Sequence, residues 1–444
     1  MENENISVKY AMNFYKNLTN PLALLQAHRL VKNSPFKRHT VRELQFQRLK
    51  KLLVYAYENI DFYRDRMDDA GFSPYNFTDM AEYQKLPPLT KTEYREYTEK
   101  VIAADPDKYK TWHKDGTSGS TGTPMEIYRT WQERAYILAK WLRAIMMNGY
   151  SFRHTTCLVT RRQKIEKDSL AQYLGFGKRH ALCFTEPFEK IISKYQQITP
   201  DFLYANKSHL LLLAKDILDR GLKIKQPRLY AVASETLDKN AKAIIQSVFG
   251  QSNMFEVYGA IELGGNLAFQ IKGTCGMHFC HDTNILELDN NGVLNEKEGA
   301  CIITDLYTKS FPLIRYRLGD WIKMQEAEES MMPLINSIKG REDDWIFLPN
   351  GKRISFIPFL VPLSENLDIV QFRIIQEVID KVKIQIVIKK GIDKDSLRNN
   401  LIEELKKVVS PELDYIIEYR EQLPPDPNGK LRVVINTLKE KMPV

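Results

Sequence analysis

The chain has 444 residues, 43% hydrophobic and 27% charged, with 64 Lys and Arg against 56 Asp and Glu for a formal net charge of +8. That balance belongs to an ordinary globular protein long enough for two or three cores. It argues against a membrane span, since no run of about 18 apolar residues occurs, and against a disulfide framework, since there are only five cysteines.

The first ten residues, "MENENISVKY", are polar and lack the apolar core of a signal peptide, so a cytoplasmic protein with reduced thiols is expected. Basic residues are scattered through stretches such as "KKLLVYAYE" and "TRRQKIEKD" rather than gathered in one tract. The mild positive field suits nucleotides or coenzymes, and no nucleic-acid partner is expected. Residues 1–40 read as an N-terminal extension with little periodicity. Thr40 with Glu43 then forms a capping-box pattern, and Leu44, Leu49, Leu52, Leu53 and Ala56 recur at helical spacing. "LPPLTK" breaks the chain ahead of another helix, and "WQERAYILAKWLRAIMMNGY" predicts a helix that ends near Asn148-Gly149.

From Cys157 to Gly259 short apolar runs alternate with helical patterns: "TTCLVT", "FLYA" and "RLYAVAS" as buried strands, "KSHLLLLAKDILDRG" and "DKNAKAIIQSVFG" as helices. Such alternation predicts an α/β domain with a largely parallel sheet. From Asn284 the chain turns strand-rich, with Asn-Asn-Gly as a turn. A third texture begins near Arg341 and reads strand, strand, helix, strand, strand, with Leu397, Leu401, Leu405 and Val408 on one helix face. The expected fold class is therefore α/β: a large domain over 41–340 with parallel-rich sheets and helices, and a small α+β domain over 341–444.

Five short motifs carry chemistry. "DGTSGSTGTPM" (Asp115–Met125) lacks the Gly-Lys-Ser/Thr ending of a P-loop. Its glycines still let backbone N–H groups approach an anion, and its hydroxyls donate to phosphate oxygens. On composition alone a flexible linker serves as well. "YGAIELGG" sets Tyr258 beside Gly259, with Glu262 as a hard oxygen ligand for Mg²⁺. "RYRLGDW" places Asp320 after a glycine, at an expected strand end, where a carboxylate takes ribose hydroxyls. "KGREDDW" holds Arg341, Asp343 and Asp344 where the texture changes, and "PPDPNGKLRVV" presents Lys430 on a rigid turn. Each alone has an ordinary structural reading; five in this order do not.

The set resembles the adenylate-forming superfamily of acyl-CoA synthetases, within it the phenylacetate–coenzyme A ligase and capsule-biosynthesis-type branch. "TSGSTGTP" looks like its phosphate loop, "YGAIE" its Tyr-Gly-x-x-Glu motif, "RYRLGD" its ribose motif, "GREDD" its hinge and "NGKLR" its C-terminal lysine motif; "LKKLLVYAYENIDFYRDRM" followed by "LPPLTKTEY" carries the branch. The resemblance implies ATP-dependent activation of a carboxylic acid, aryl or medium-sized acyl, as an acyl-adenylate that is passed to coenzyme A. The alternative acceptors are an amine, or a cofactor that is itself adenylylated, and a non-catalytic nucleotide-binding remnant is a third reading. Thr117, Ser118, Gly119, Ser120, Thr121, Gly122 and Thr123 would take the phosphates. Ser234, Glu235 and Thr236 would line the adenine pocket with Tyr258 and Gly259, and Asp320 and Arg341 would hold the ribose. Glu262 would bind Mg²⁺, Lys430 would meet the α-phosphate and the carboxylate, and the small domain would be mobile about a hinge at Asp343. Tyr136, Tyr204, Ala205 and Ala233 are the substrate-pocket candidates; the oligomeric state is open, a homodimer included.

Two features depart from the pattern. Position 261 is Ile where the superfamily commonly has Thr or Ser, so a hydroxyl toward the α-phosphate is missing. "CGMHFCHD" packs Cys275, His278, Cys280 and His281 into eight residues, but no cysteine pair precedes the hinge. Adjacent strand residues point to opposite faces, so a strand without structural zinc is expected, even with Cys301 included.

Overall fold

The computed structural model describes residues 21–32, 37–116, 125–160, 172, 174–235, 237, 239–290, 292–341, 345–364, 366, 368–389, 391–424 and 431–438. They gather into two compact units. One takes the described residues of Met1–Thr156, Lys164–His180 and Phe255–Ile338; the other takes those of Cys157–Gln163, Ala181–Met254 and Lys339–Val444. The central α/β segment thus groups with the C-terminal segment.

The strands in chain order are β1 (His113–Gly116), β2 (Glu126–Arg129), β3 (Thr156–Thr160), β4 (Arg179–Cys183), β5 (Phe202–Asn206), β6 (Leu229–Ala233) and β7 (Met254–Ala260). There follow β8 (Gly265–Gln270), β9 (Met277–Phe279), β10 (Asn284–Asn290), β11 (Val293–Asn295), β12 (Glu298–Asp305), β13 (Tyr316–Met324) and β14 (Ile335–Arg341). The C-terminal strands are β15 (Trp345–Phe347), β16 (Arg353–Ser355), β17 (Ile369–Val378), β18 (Lys381–Ile388), β19 (Asp414–Tyr419) and β20 (Val434–Asn436).

In the first unit the strands run in the order β11-β10-β12-β13-β14-β9-β8-β7. Antiparallel pairing joins β10 to β12, β12 to β13 and β7 to β8. Against this sheet pack Leu49, Leu52 and Leu53 of the helix Arg38–Asn59 and Tyr94 and Tyr97 of the helix Lys91–Ala104. The latter opens on a full capping box, Thr90 with Glu93, which explains the stop at "LPPLTK". That stop also extends the sheet. Leu89 bonds both ways to β13, its N–H to Arg315 O (2.7 Å) and its carbonyl to Arg317 N (2.9 Å).

Three details differ from the sequence reading. A helix, Pro21–Lys32, lies inside the stretch expected to be featureless. The next helix begins at Arg38, with Lys37 at its N-cap and no side-chain cap, so Thr40 and Glu43 are already inside it. Val408 is 40% exposed at the last turn of the helix Lys394–Val408, while Leu397, Leu401 and Leu405 are buried as expected.

In the second unit β6-β5-β3-β4 form the central layer, β5 and β6 parallel as the alternation predicts. The helices Lys207–Asp219 and Lys239–Phe249 share its core. The C-terminal segment has its own sheet, β19-β18-β17-β20, and its own core of residues such as Ile374, Ile384, Ile386, Leu401 and Leu405. Val370, Val387, Leu423 and Leu431 of the same segment pack into the central core. Asn240 adds hydrogen bonds from its side-chain amide to the carbonyls of Asn366 (2.8 Å) and Ile369 (2.6 Å).

Candidate active site

Part of the expected site lies outside the described residues: the loop Thr117, Ser118, Gly119, Ser120, Thr121, Gly122 and Thr123, together with Thr236, Asp343 and Lys430. The loop's frame is described. β1 and β2 pair antiparallel up to Gly116↔Glu126.

Asp115, the first residue of the motif, is buried on β1 and ion-paired to Arg129 Nη1 at 2.9 Å. His113 Nε2 lies 2.9 Å from the other carboxylate oxygen. Burial opposes ionisation of Asp115, but the His113 hydrogen bond and the Arg129 charge outweigh it and hold the carboxyl below its ordinary value. Arg129 then reaches the turn between β7 and β8: its Nη2 donates to the carbonyls of Ile261 (2.6 Å) and Glu262 (3.0 Å). The sequence reading missed Arg129. A lone arginine in "MEIYRT" carries no local signal, and its partners are 132 and 133 residues away.

Glu262 sits half-buried on that turn. Tyr316 O–H is 3.5 Å from its carboxylate, and among the described residues no basic side chain pairs with it. An oxygen donor without a basic partner among the described residues fits a hard divalent metal held chiefly by one carboxylate and substrate phosphates. The hairpin leaves no space at Gly259, where an added Cβ would lie 1.9 Å from Gly265 O.

Tyr258 is buried beside Cys301, and its hydroxyl donates to the Asp320 carboxylate at 2.7 Å. Burial and the neighbouring Asp320 charge hold that hydroxyl protonated, well above its ordinary range. Asp320 is in the middle of β13, not at a strand end; Gly319, at φ +81°, and a register shift against β12 between Ala300 and Ile302 accompany it there. Tyr136 stacks on Tyr307 with ring centroids 3.4 Å apart, its hydroxyl kept neutral by burial. Glu133 both caps the helix Trp131–Met147 and accepts from the N–H groups of Lys309 and Ser310, at 2.9 Å each.

In the second unit Ser234 follows β6 with φ +73°, a left-handed conformation that costs a residue other than glycine about 1–3 kcal/mol and gathers at functional sites. Glu235 accepts from the hydroxyl of Ser208 and from its N–H at 3.4 Å, closing the N-terminus of the helix Lys207–Asp219. Tyr204 and Ala205 lie on β5, where burial pushes the Tyr204 hydroxyl up to about 12, and Ala233 is buried at the end of β6. Arg341 is the last residue of β14.

Of the cysteine-histidine run, Cys275 is exposed and Cys280 is buried against Ala144 and Phe269. Burial lowers His278 and pushes His281 down to about 4. Among the described residues no group of three or more His, Cys, Asp or Glu side chains is placed to hold a metal ion, and no helix is long and apolar enough to cross a membrane.

Residues 346–437 match the family model of the CapK C-terminal domain. The chain is 24% identical to Protein CapK of Staphylococcus aureus over 89% of each chain. It is 26% identical to phenylacetate-coenzyme A ligase of Escherichia coli (strain K12), over 69% of this chain and 72% of the relative. Among solved structures, 2-hydroxyisobutyryl-CoA ligase in the postadenylation state with its acyl-AMP superposes with a TM-score of 0.71 at 18% identity, covering 91% of both chains.

Proposed function

The chain belongs to the adenylate-forming superfamily, on the branch of the phenylacetate–coenzyme A ligases and CapK, and on that premise we propose that it activates a carboxylic acid with ATP and transfers the acyl group to coenzyme A. A carboxylate is a poor electrophile because its oxygen leaves badly. Attack of that oxygen on the α-phosphorus of ATP forms the acyl-adenylate and expels pyrophosphate. A thiol then attacks the carbonyl carbon, and AMP leaves.

The observation that carries this reading is Arg129. One guanidinium joins Asp115, at the root of the Gly/Ser/Thr loop, to the turn that presents Glu262. Two motifs far apart in sequence are thereby tied together, which supports a shared nucleotide triphosphate and metal. The loop Thr117–Thr123 takes the β- and γ-phosphates through backbone N–H groups and hydroxyls. Glu262 would hold Mg²⁺, which when bound neutralises phosphate charge. Lys430 supplies a compact cation to the α-phosphate and the carboxylate. Asp320, oriented by the Tyr258 hydroxyl, takes the ribose hydroxyls with Arg341. Ser234, Glu235 and Thr236 border the adenine, and Tyr136, Tyr204, Ala205 and Ala233 border the acid.

We also propose that 341–444 moves as a domain about Asp343. Its own sheet and core, and a family-model match that starts at residue 346, support that division. A cytoplasmic location fits a reaction that consumes ATP.

The test is pyrophosphate release from ATP and Mg²⁺ with a panel of aryl and short acyl acids, followed by coenzyme A or candidate amines as acceptors. Release that depends on the acid, and AMP release triggered by coenzyme A, is the expected result. Silence with every acid contradicts the proposal, and AMP release with amines only reassigns the acceptor.

A further inference from the structure

Glu262 stands on a four-residue turn held by two buried basic side chains. Arg129 Nη2 binds the carbonyls of Ile261 and Glu262, and Lys140 Nζ donates to the next carbonyl, that of Leu263, at 3.2 Å. Three consecutive carbonyls are tied in this way to two buried basic side chains. Both side chains are about as buried as the apolar core, at 1% exposure each. Burying a cation costs several kcal/mol before compensation, and an ordinary hairpin turn is closed by its own backbone. Here that closure is present too, from Gly264 N to Ile261 O at 3.2 Å. The two side chains add restraint beyond closure.

The surroundings reinforce it. Asn266 donates from its side-chain amide to Lys140 O at 3.1 Å, tying β8 to the same helix. Gly264, at φ +79°, lies so close to Ile137 that a Cβ would meet its Cγ1 at 2.9 Å. Burial lowers the Lys140 pKa, while the nearby Asp305 favours its charged form.

We propose that Arg129 and Lys140 are positioning residues for metal–nucleotide binding: by clamping the carbonyls of residues 261–263 they fix the direction in which Glu262 presents its carboxylate. The inference rests on the reading of Glu262 as the metal ligand. A ligand held in place before the metal arrives loses little conformational freedom on binding, and supporting groups of this kind typically change metal affinity by about 10–100-fold.

The experiment reads Mn²⁺ binding in the presence of ATP by electron paramagnetic resonance, without turnover, beside ATP binding without metal and thermal unfolding. The variants are Glu262→Gln, Arg129→Lys, Lys140→Met and Lys140→Gln. Arg129→Lys and Lys140→Met are expected to weaken Mn²⁺–ATP about tenfold and leave metal-free ATP nearly unchanged. Lys140→Gln, which keeps one N–H for Leu263, should lose less. Folded Arg129→Lys and Lys140→Met proteins that bind Mn²⁺–ATP like the wild type overturn the proposal, as does an equal loss of metal-free ATP binding. Should Lys140→Met not fold, Lys140→Gln and Arg129→Lys decide on the same criteria. A Glu262→Gln protein with wild-type Mn²⁺–ATP affinity overturns the Glu262 assignment itself, a result distinct from failure of the clamp.

Discussion

Asp115 and Arg129 form a buried ion pair at 2.9 Å, with both side chains under 5% exposed. It joins the first residue of the Gly/Ser/Thr loop to the arginine that grips the Glu262 turn. Removing one partner strands the other charge, and Arg129→Met is expected to destabilise the protein by about 3–5 kcal/mol. Equilibrium urea unfolding measures this.

The same pair sets an acid dependence. The Asp115 carboxyl is held below its ordinary value, so it contributes stability that is present above that value and lost as pH falls through the lower, folded-state pKa. Unfolding free energies from pH 6 downward should fall below about pH 4 with a component that Asp115→Asn lacks. Identical acid limbs in both proteins would contradict the assignment.

Gly259 has no room for a side chain, since a Cβ would sit 1.9 Å from Gly265 O. Gly259→Ala must spread the β7–β8 hairpin and is expected to cost about 3 kcal/mol. Loss of nucleotide binding should accompany the drop in melting temperature, because the same hairpin carries Glu262.

Tyr258 and Asp320 separate packing from binding. Tyr258→Phe removes the hydroxyl's contacts to Asp320 and Cys301 at a cost of about 1 kcal/mol and keeps the carboxylate. Asp320→Ala removes the carboxylate itself and should raise the KM for ATP about tenfold or more. Steady-state kinetics in ATP on the two variants tests that order.

Lys430 is assigned a role in chemistry alone. Lys430→Ala should lower the rate of adenylate formation by about 100-fold or more while ATP binding stays nearly intact. Single-turnover pyrophosphate release beside calorimetric ATP titration measures both.

Much of the fold was legible because it is local. The helix Trp131–Met147 follows from its own stretch of sequence and ends, as expected, at Asn148-Gly149, where Gly149 takes φ +86°. The parallel pair β5–β6 follows from short apolar runs that alternate with helices. What sequence did not disclose depends on contacts between distant residues. Arg129 and Lys140 look like ordinary basic residues until their partners, 132 and 123 positions on, fold against them. Asp320 was expected at a strand end because glycine precedes it; Gly319 instead accompanies an irregularity within β13. The helix Pro21–Lys32 lacks acidic residues in its first turn, and Gln45 takes a buried place in the next helix by donating to the carbonyls of His281 and Asn284 at 2.9 Å each. No local pattern signals a polar residue in that place.

The most direct measurement is acid-dependent exchange of labelled pyrophosphate into ATP, run on the wild type and on Glu262→Gln with the same panel of aryl and short acyl acids. The account predicts exchange with at least one acid and its loss by about 100-fold or more in the variant. No exchange with any acid, or equal exchange in the two proteins, would contradict it.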